Sequence, residues 1–163
     1  MANELMTRYE GDLTAAIERG EQMSTAGPEW LQELRKAGVA SYREQGIPTP
    51  KHEEWKYTPL RDLTKLELTP AAPGPAVFDQ ELPWNSQGHR VVLTNGYFDR
   101  NQLQTVSTKG LTIQSLRDAM IDHEEVVSEH LGKIANIKEH GFAGLNSSNF
   151  EDGVFIHLEA GTA

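Results

Sequence analysis

The segment Pro48-Thr49-Pro50-Lys51-His52-Glu53-Glu54-Trp55-Lys56-Tyr57-Thr58-Pro59-Leu60 restricts the folding of this chain more than any other stretch. Its three prolines fix φ and push each preceding residue toward extended backbone. Gly46 before it reads as a helix stop, and Thr58-Pro59 reads as the start of a new helix. Such a segment is rigid without regular secondary structure once the Trp55 and Tyr57 rings are buried, so both are expected to be structural anchors.

The same residues carry a resemblance. They are similar to the N-terminal signature of the SufB/SufD family, scaffold proteins of the Suf iron–sulfur cluster assembly system. In that family a helical leader runs into a P-T-x-K-x-E-E-W-K-Y-T-x-L box, which Pro48 to Leu60 carry here. Leu145-Asn146 and then Phe150-Glu151-Asp152-Gly153-Val154-Phe155-Ile156 resemble the family's L-N … D-G-x-F-I entry into its core domain. Overall the chain looks more like the SufD branch than its paralogue SufB. The resemblance implies a scaffold without catalysis of its own, acting with SufB and the ATPase SufC in a complex that builds a cluster for transfer to apoproteins. It marks Lys51, Glu53, Glu54, Trp55, Lys56, Tyr57, Asn146, Asp152 and Gly153 as structural or interaction residues, and implies no catalytic, cofactor-binding or metal-ligating residue. It also implies that residues 153–163 begin a right-handed parallel β-helix whose later coils, with the C-terminal helical region, are missing from what looks like the N-terminal part of such a protein.

Composition narrows the function classes. The 163 residues suffice for about one domain with a real core, but hydrophobic content is low at 37%, with eight prolines and fourteen glycines, so long loops are expected. A net charge of −9 disfavours nonspecific phosphate-backbone binding. The chain has no cysteine, which excludes disulfides, thiolate catalysis and a cysteine-ligated cluster within it. The start, Met1-Ala2-Asn3-Glu4, has no basic region followed by an apolar run, and no apolar stretch nears the ~20 residues that span a bilayer. A cytoplasmic location is expected, with no membrane partner.

Along the chain, Leu5, Tyr9, Leu13, Ala16 and Ile17 recur at helical spacing and predict a helix over 5–23. Pro28 suits the first turn of a second helix over 28–45, with Trp30, Leu34, Ala37 and Ser41 as its buried face, flanked by Leu31 and Tyr42. The two read as an αα-hairpin. Thr58 is expected to cap a short helix to about Lys65, and residues 69–76 form a proline-stiffened linker. Val91 to Thr94, the Asn95-Gly96 turn and Tyr97-Phe98 predict a hairpin, with Leu111-Thr112-Ile113 as a third strand in one small sheet around 90–114. Ser115 and Asp118 read as a capping box opening a helix to about Ile134. The Gly141 to Leu145 segment reads as a last short helix. Val154, Ile156 and Leu158 alternate with Phe155, His157 and Glu159 as a strand over 153–159. The fold class is therefore α+β, with a helical leader and box over 1–68, the linker at 69–76, a small α+β region over 77–152 and the start of the core at 153–163. The terminal strand reads as an unfinished edge. Its expected fate is pairing with a neighbouring copy, then folding back on its own sheet, then disorder, in that order.

Sharper chemistry is weighed against plainer readings. His123 and His130 fall on one apolar stripe, but seven residues separate them by ~10.5 Å along a helix. Zinc needs both nitrogens within ~2.1 Å of it, so packing histidines are expected. Glu53 and Glu54, adjacent in an extended segment, point to opposite sides and make a poor acid–base pair. Trp55-Lys56-Tyr57 has the look of a base-stacking patch, which the acidity of the chain opposes. Ser147 and Ser148 have His140 and His157 nearby in sequence but no G-x-S-x-G elbow, and no phosphate-binding loop is present. The leading function is the scaffold domain. The alternatives are an independent small metal- or ligand-binding protein using its histidines, or a small hydrolase or transferase.

Overall fold

The computed structural model describes residues 15–50, 52–58, 60, 70–75, 88–139 and 141–162. They are α1 (residues 15–23), α2 (Glu29–Gln45), a 3-10 turn (Glu53–Trp55), β1 (Leu93–Thr94), β2 (Tyr97–Phe98), a second 3-10 turn (Arg100–Gln102), β3 (Leu111–Ser115), α3 (Leu116–Asp122), α4 (Glu124–His130), α5 (Gly141–Asn149) and β4 (Val154–Leu158). This is mixed helix with small antiparallel sheets, the expected α+β class. Of the helix expected over 5–23, residues 5–14 lie outside the described residues, as do residues 61–65 of the short helix expected from Thr58. The chain forms two compact units, residues 1–69 with 128–149 and residues 70–127 with 150–163.

In the first unit α2 is the organising helix. It starts after Pro28, which holds φ −65° and ψ 157° just outside the helix rather than in its first turn. It ends at Gly46, whose φ of 62° is open to glycine at little cost and whose N–H donates to the Tyr42 carbonyl at 2.7 Å. The buried residues are Leu31, Arg35, Gly38, Val39, Ser41 and Tyr42. The face predicted from Trp30, Leu34, Ala37 and Ser41 is therefore rotated: Trp30 and Leu34 are half-buried and Ala37 is exposed.

Two contacts that hydrophobicity does not register explain the rotation. The Arg35 guanidinium donates to the carbonyls of Met23 at 2.9 Å and Ala26 at 3.2 Å, supplying partners at the end of α1. The glycines of α5 let it lie on the backbone of α2. A Cβ on Gly144 would meet the Gly38 carbonyl oxygen at 2.8 Å, and one on Gly141 would fall on the Gly46 carbonyl. Ser41 donates to the Ile137 carbonyl, which also accepts from Gln45 Nε2 at 3.1 Å.

In the second unit the Asn95-Gly96 turn is as expected. Both residues take positive φ, 56° and 85°, the conformation of a type I′ turn between β1 and β2. The single sheet predicted around 90–114 is instead two separate two-stranded sheets. β3 pairs with β4 along five residues in antiparallel register, from Leu111↔Leu158 to Ser115↔Val154. The terminal strand thus folds back within its own chain, the outcome ranked second from sequence. In that register Ile113 stands opposite Ile156 and Leu111 opposite Leu158, as cross-strand apolar pairs on one face.

The helix predicted over 115–134 is broken at His123, which leaves helical geometry at φ −133° and ψ 36°, and it ends by His130. Gly132, at φ 75°, follows that end. The His123 ring stacks on Phe155 with centroids 5.1 Å apart, and Phe155 stacks on His157 at 6.0 Å.

Candidate functional site

The box residues present one candidate surface. Pro48 is buried, and Thr49 closes the first bend: its N–H donates to His52 Nδ1 at 3.0 Å while the His52 N–H donates to the Thr49 carbonyl at 2.9 Å. Three further turn bonds follow, Trp55 N–H to His52, Lys56 N–H to Glu53 and Thr58 N–H to Trp55. Trp55 is seated edge-on against Phe142 of α5, with centroids 5.4 Å apart and planes at 74°, and it lines a small crevice together with Gly46, Pro48 and Gly141.

Glu53, Glu54, Lys56 and Tyr57 are exposed, and Lys51 lies outside the described residues. Two expectations are corrected here. Tyr57 is 85% exposed, so Trp55 alone of the two rings anchors the segment. Glu53 and Glu54 stand in a helical turn, not in extended backbone, so they project from adjacent positions of one turn instead of opposite sides. The Lys56 ammonium lies over the Tyr57 ring, 5.4 Å from its centroid.

Asp152 and Gly153 form the second cluster. The first three N–H groups of α3 lack helical partners, and each is satisfied locally. Leu116 donates to the Gly153 carbonyl at 3.1 Å, Arg117 to Asp152 Oδ1 at 3.1 Å, and Asp118 to Ser115 Oγ at 3.3 Å, the expected cap. The Ser115 hydroxyl donates to Asp152 Oδ1 at 2.7 Å, and the Phe98 N–H donates to Asp152 Oδ2 at 2.9 Å. One carboxylate therefore ties the hairpin, the end of β3 and the start of α3 to the chain entering β4. Burial pushes the Asp152 carboxyl up, but hydrogen bonds from Phe98, Ser115, Arg117 and Gly153 outweigh it and hold it below the ordinary value of 3.8.

Beside it, Glu151 accepts the Tyr97 hydroxyl at 2.9 Å and pairs with Arg117 at 3.6 Å, and the Arg117 guanidinium lies 5.8 Å from the Tyr97 ring centroid. Sequence reading selected Asp152 and Gly153 but missed Phe98, Arg117, Tyr97 and Glu151. Tyr97 and Glu151 are 54 residues apart, and no local pattern signals such a pair.

The remaining candidates take plainer roles. Asn146 is exposed on α5. Ser148 is 1% exposed and donates to the Leu145 carbonyl at 2.9 Å, which makes it a packing residue at the contact with α2. His123 is half-buried against Phe155, His130 is exposed at the end of α4, and His140 lies outside the described residues. Among the described residues no three or more of His, Cys, Asp and Glu stand together as a metal site, and no helix is long and apolar enough to cross a membrane.

The face of the β3–β4 sheet opposite the His123 stack carries Leu111, Ile113, Val154, Ile156 and Leu158, since directly paired residues point the same way. Val154, Ile156 and Leu158 are 36%, 59% and 55% exposed. Set against known proteins, the chain matches the family model of the SufBD protein N-terminal region over residues 17–163. No curated protein and no solved structure matches it.

Proposed function

Because this chain belongs to the SufB/SufD family through its N-terminal region, and with it to the components of Suf-system iron–sulfur cluster assembly, we propose that it is the N-terminal domain of a SufD-like scaffold. In this reading it has no catalysis of its own and works in a complex with SufB and SufC, with the cluster as the cargo of the complex. The family match over residues 17–163 carries the proposal. The Pro48–Leu60 box and the Asp152-Gly153 junction support it, since both hold parts of the fold together around surfaces that face solvent. The chain has no cysteine to ligate a cluster, which fits a supporting role. The exposed apolar face of β4 supports self-association of the isolated chain.

The test is co-purification of the tagged protein with SufB and SufC from cells of its source, together with iron–sulfur enzyme activity in cells lacking it. Stoichiometric recovery of both partners and a loss of iron–sulfur enzyme activity are expected. Recovery of a single SufD-type partner in place of SufB would reassign the chain to the SufB branch. Tight stoichiometric metal on the purified chain would instead favour the histidine-based binding alternative.

A further inference from the structure

Asn95 and Asp152 each precede a glycine in this chain. In both dipeptides a side-chain carbonyl carbon is one five-membered ring away from a backbone nitrogen that no Cβ shields. The fold treats the two differently. Asp152 is an ionised carboxylate, a poor electrophile, and hydrogen bonds from Phe98, Ser115 and Arg117 keep it in place. Asn95 is a neutral amide, exposed together with Gly96 at the tip of the β1–β2 hairpin. Nothing stands within 4 Å of where a Gly96 Cβ would be.

The ladder beneath that turn is short, Leu93↔Phe98 and Thr94↔Tyr97. A ladder of this length opens locally with little loss of free energy, so the turn samples the backbone angles that bring the Gly96 nitrogen to Asn95 Cγ. The amide also makes a contact that its loss removes. Asn95 Nδ2 donates to the Ala72 carbonyl at 3.1 Å and so holds the exposed segment over residues 70–75 against the hairpin. A carboxylate at this position offers only acceptors, as does the Ala72 carbonyl, and the hydrogen bond becomes a repulsion.

We infer that Asn95 is a site of spontaneous deamidation, and that the change releases residues 70–75 from the hairpin. The Gly96 nitrogen attacks Asn95 Cγ and a C–N bond forms. The Gly96 N–H proton passes to solvent, and the side-chain nitrogen takes up a proton and leaves as ammonia. Water then opens the succinimide at either carbonyl, giving aspartate or isoaspartate. Neither step changes an oxidation state, and water is the reactant consumed. Both products carry the new carboxylate. Isoaspartate also lengthens the main chain inside the turn, which disturbs Phe98, whose N–H serves Asp152 at 2.9 Å. The inference rests on the turn and its contact with Ala72, independently of the scaffold reading.

The test incubates the whole chain in mildly alkaline buffer, folded and in urea. Peptide mass mapping follows each asparagine, and enzymatic methyl transfer reports isoaspartate. Asn101 and Asn136 are the internal controls, since both are exposed but precede Gln102 and Ile137, whose side chains shield the attacking nitrogen. In the folded chain Asn95 should lose its amide about tenfold faster than either control, while Asp152 yields isoaspartate only in urea, where its hydrogen bonds are gone. The Asn95→Asp variant, which carries the product charge from the start, should shift the amide resonances of Ala71, Ala72 and Gly74 and leave those of β3 and β4 in place. A folded chain in which Asn95 keeps its amide as long as Asn101 and Asn136 do would overturn the site. An Asn95→Asp variant whose Ala71 and Ala72 resonances match wild type would overturn the release. Failure to recover SufB and SufC in co-purification would touch neither result, so the two readings fail separately.

Discussion

A Cβ on Gly38 would stand 2.6 Å from the carbonyl oxygen of Gly144, closer than any side chain tolerates. The contact between α2 and α5 is made backbone to backbone, and no flexible side chain is there to give way. Gly38→Ala should therefore force the helices apart and cost about 1–3 kcal/mol, the usual penalty of overpacking, although alanine is the better helix former. Gly74, with nothing within 4 Å, is the control. Denaturant melts should show Gly74→Ala unchanged, and equal midpoints for the two variants would refute the close-packed contact.

Trp55 and Tyr57 separate anchoring from presentation. Trp55→Ala removes the edge contact with Phe142 and should cost about 1–3 kcal/mol, less than the ~3–5 kcal/mol of a fully buried aromatic, because the ring is half-exposed. Tyr57→Ala should stay within about 0.5 kcal/mol of wild type, as exposed positions do. A Tyr57 variant that melts as early as the Trp55 variant would restore the anchoring role predicted for both.

Asp152 makes the second unit sensitive to acid, and the sign follows from its depressed carboxyl. The charged form is the one that accepts the hydrogen bonds, so its contribution is present above the ordinary value of 3.8 and is lost as pH falls through the lower folded value. At neutral pH Asp152→Ala should cost about 1–3 kcal/mol, since several donors lose an ionised acceptor. The gap between wild type and variant should begin to narrow below pH 3.8 and shrink further as the folded carboxyl is protonated. Urea melts at neutral and acid pH test this, and a gap that stays constant or widens in acid would reject the hub role.

What was legible in the sequence is what short-range chemistry decides. The Asn95-Gly96 turn, the Ser115 cap and the Gly46 stop each depend on a few neighbouring residues, and each stands where its residues place it. The α+β class followed from the change of period along the chain. Pairing was not legible. β3 and β4 are joined across a register whose ends are 47 residues apart at Leu111 and Leu158, and alternation alone cannot choose between partners for a strand. The buried face of α2 was misplaced because Arg35 and Gly38 count as polar or featureless in a hydrophobic pattern, yet one serves the carbonyls of Met23 and Ala26 and the other admits a neighbouring backbone. In the candidate surfaces, Tyr57 was read as buried because aromatics usually are, and Arg117 and Glu151 gave no local sign of meeting.

The β3–β4 sheet carries its amphipathicity the unusual way round. On β4 the half-buried positions are Phe155 and His157, with the His123 ring stacked on Phe155, while Val154, Ile156 and Leu158 face outward with Leu111 and Ile113 beside them. Apolar area returns roughly 25 cal/mol per Å² on burial, so this face, together with the edge of β4 that pairs with no other strand among the described residues, favours association with a second copy. The main-chain pairing to β3 does not depend on the outward side chains. Val154→Lys with Ile156→Lys should therefore reduce whatever self-association light scattering detects for wild type, while circular dichroism keeps the helical signal of wild type. Lysines on an edge also repel the same edge of another chain, which strengthens the effect at low salt. A wild-type chain that stays monomeric at high concentration, or a double variant that associates as strongly as wild type, would rule out this face as the contact.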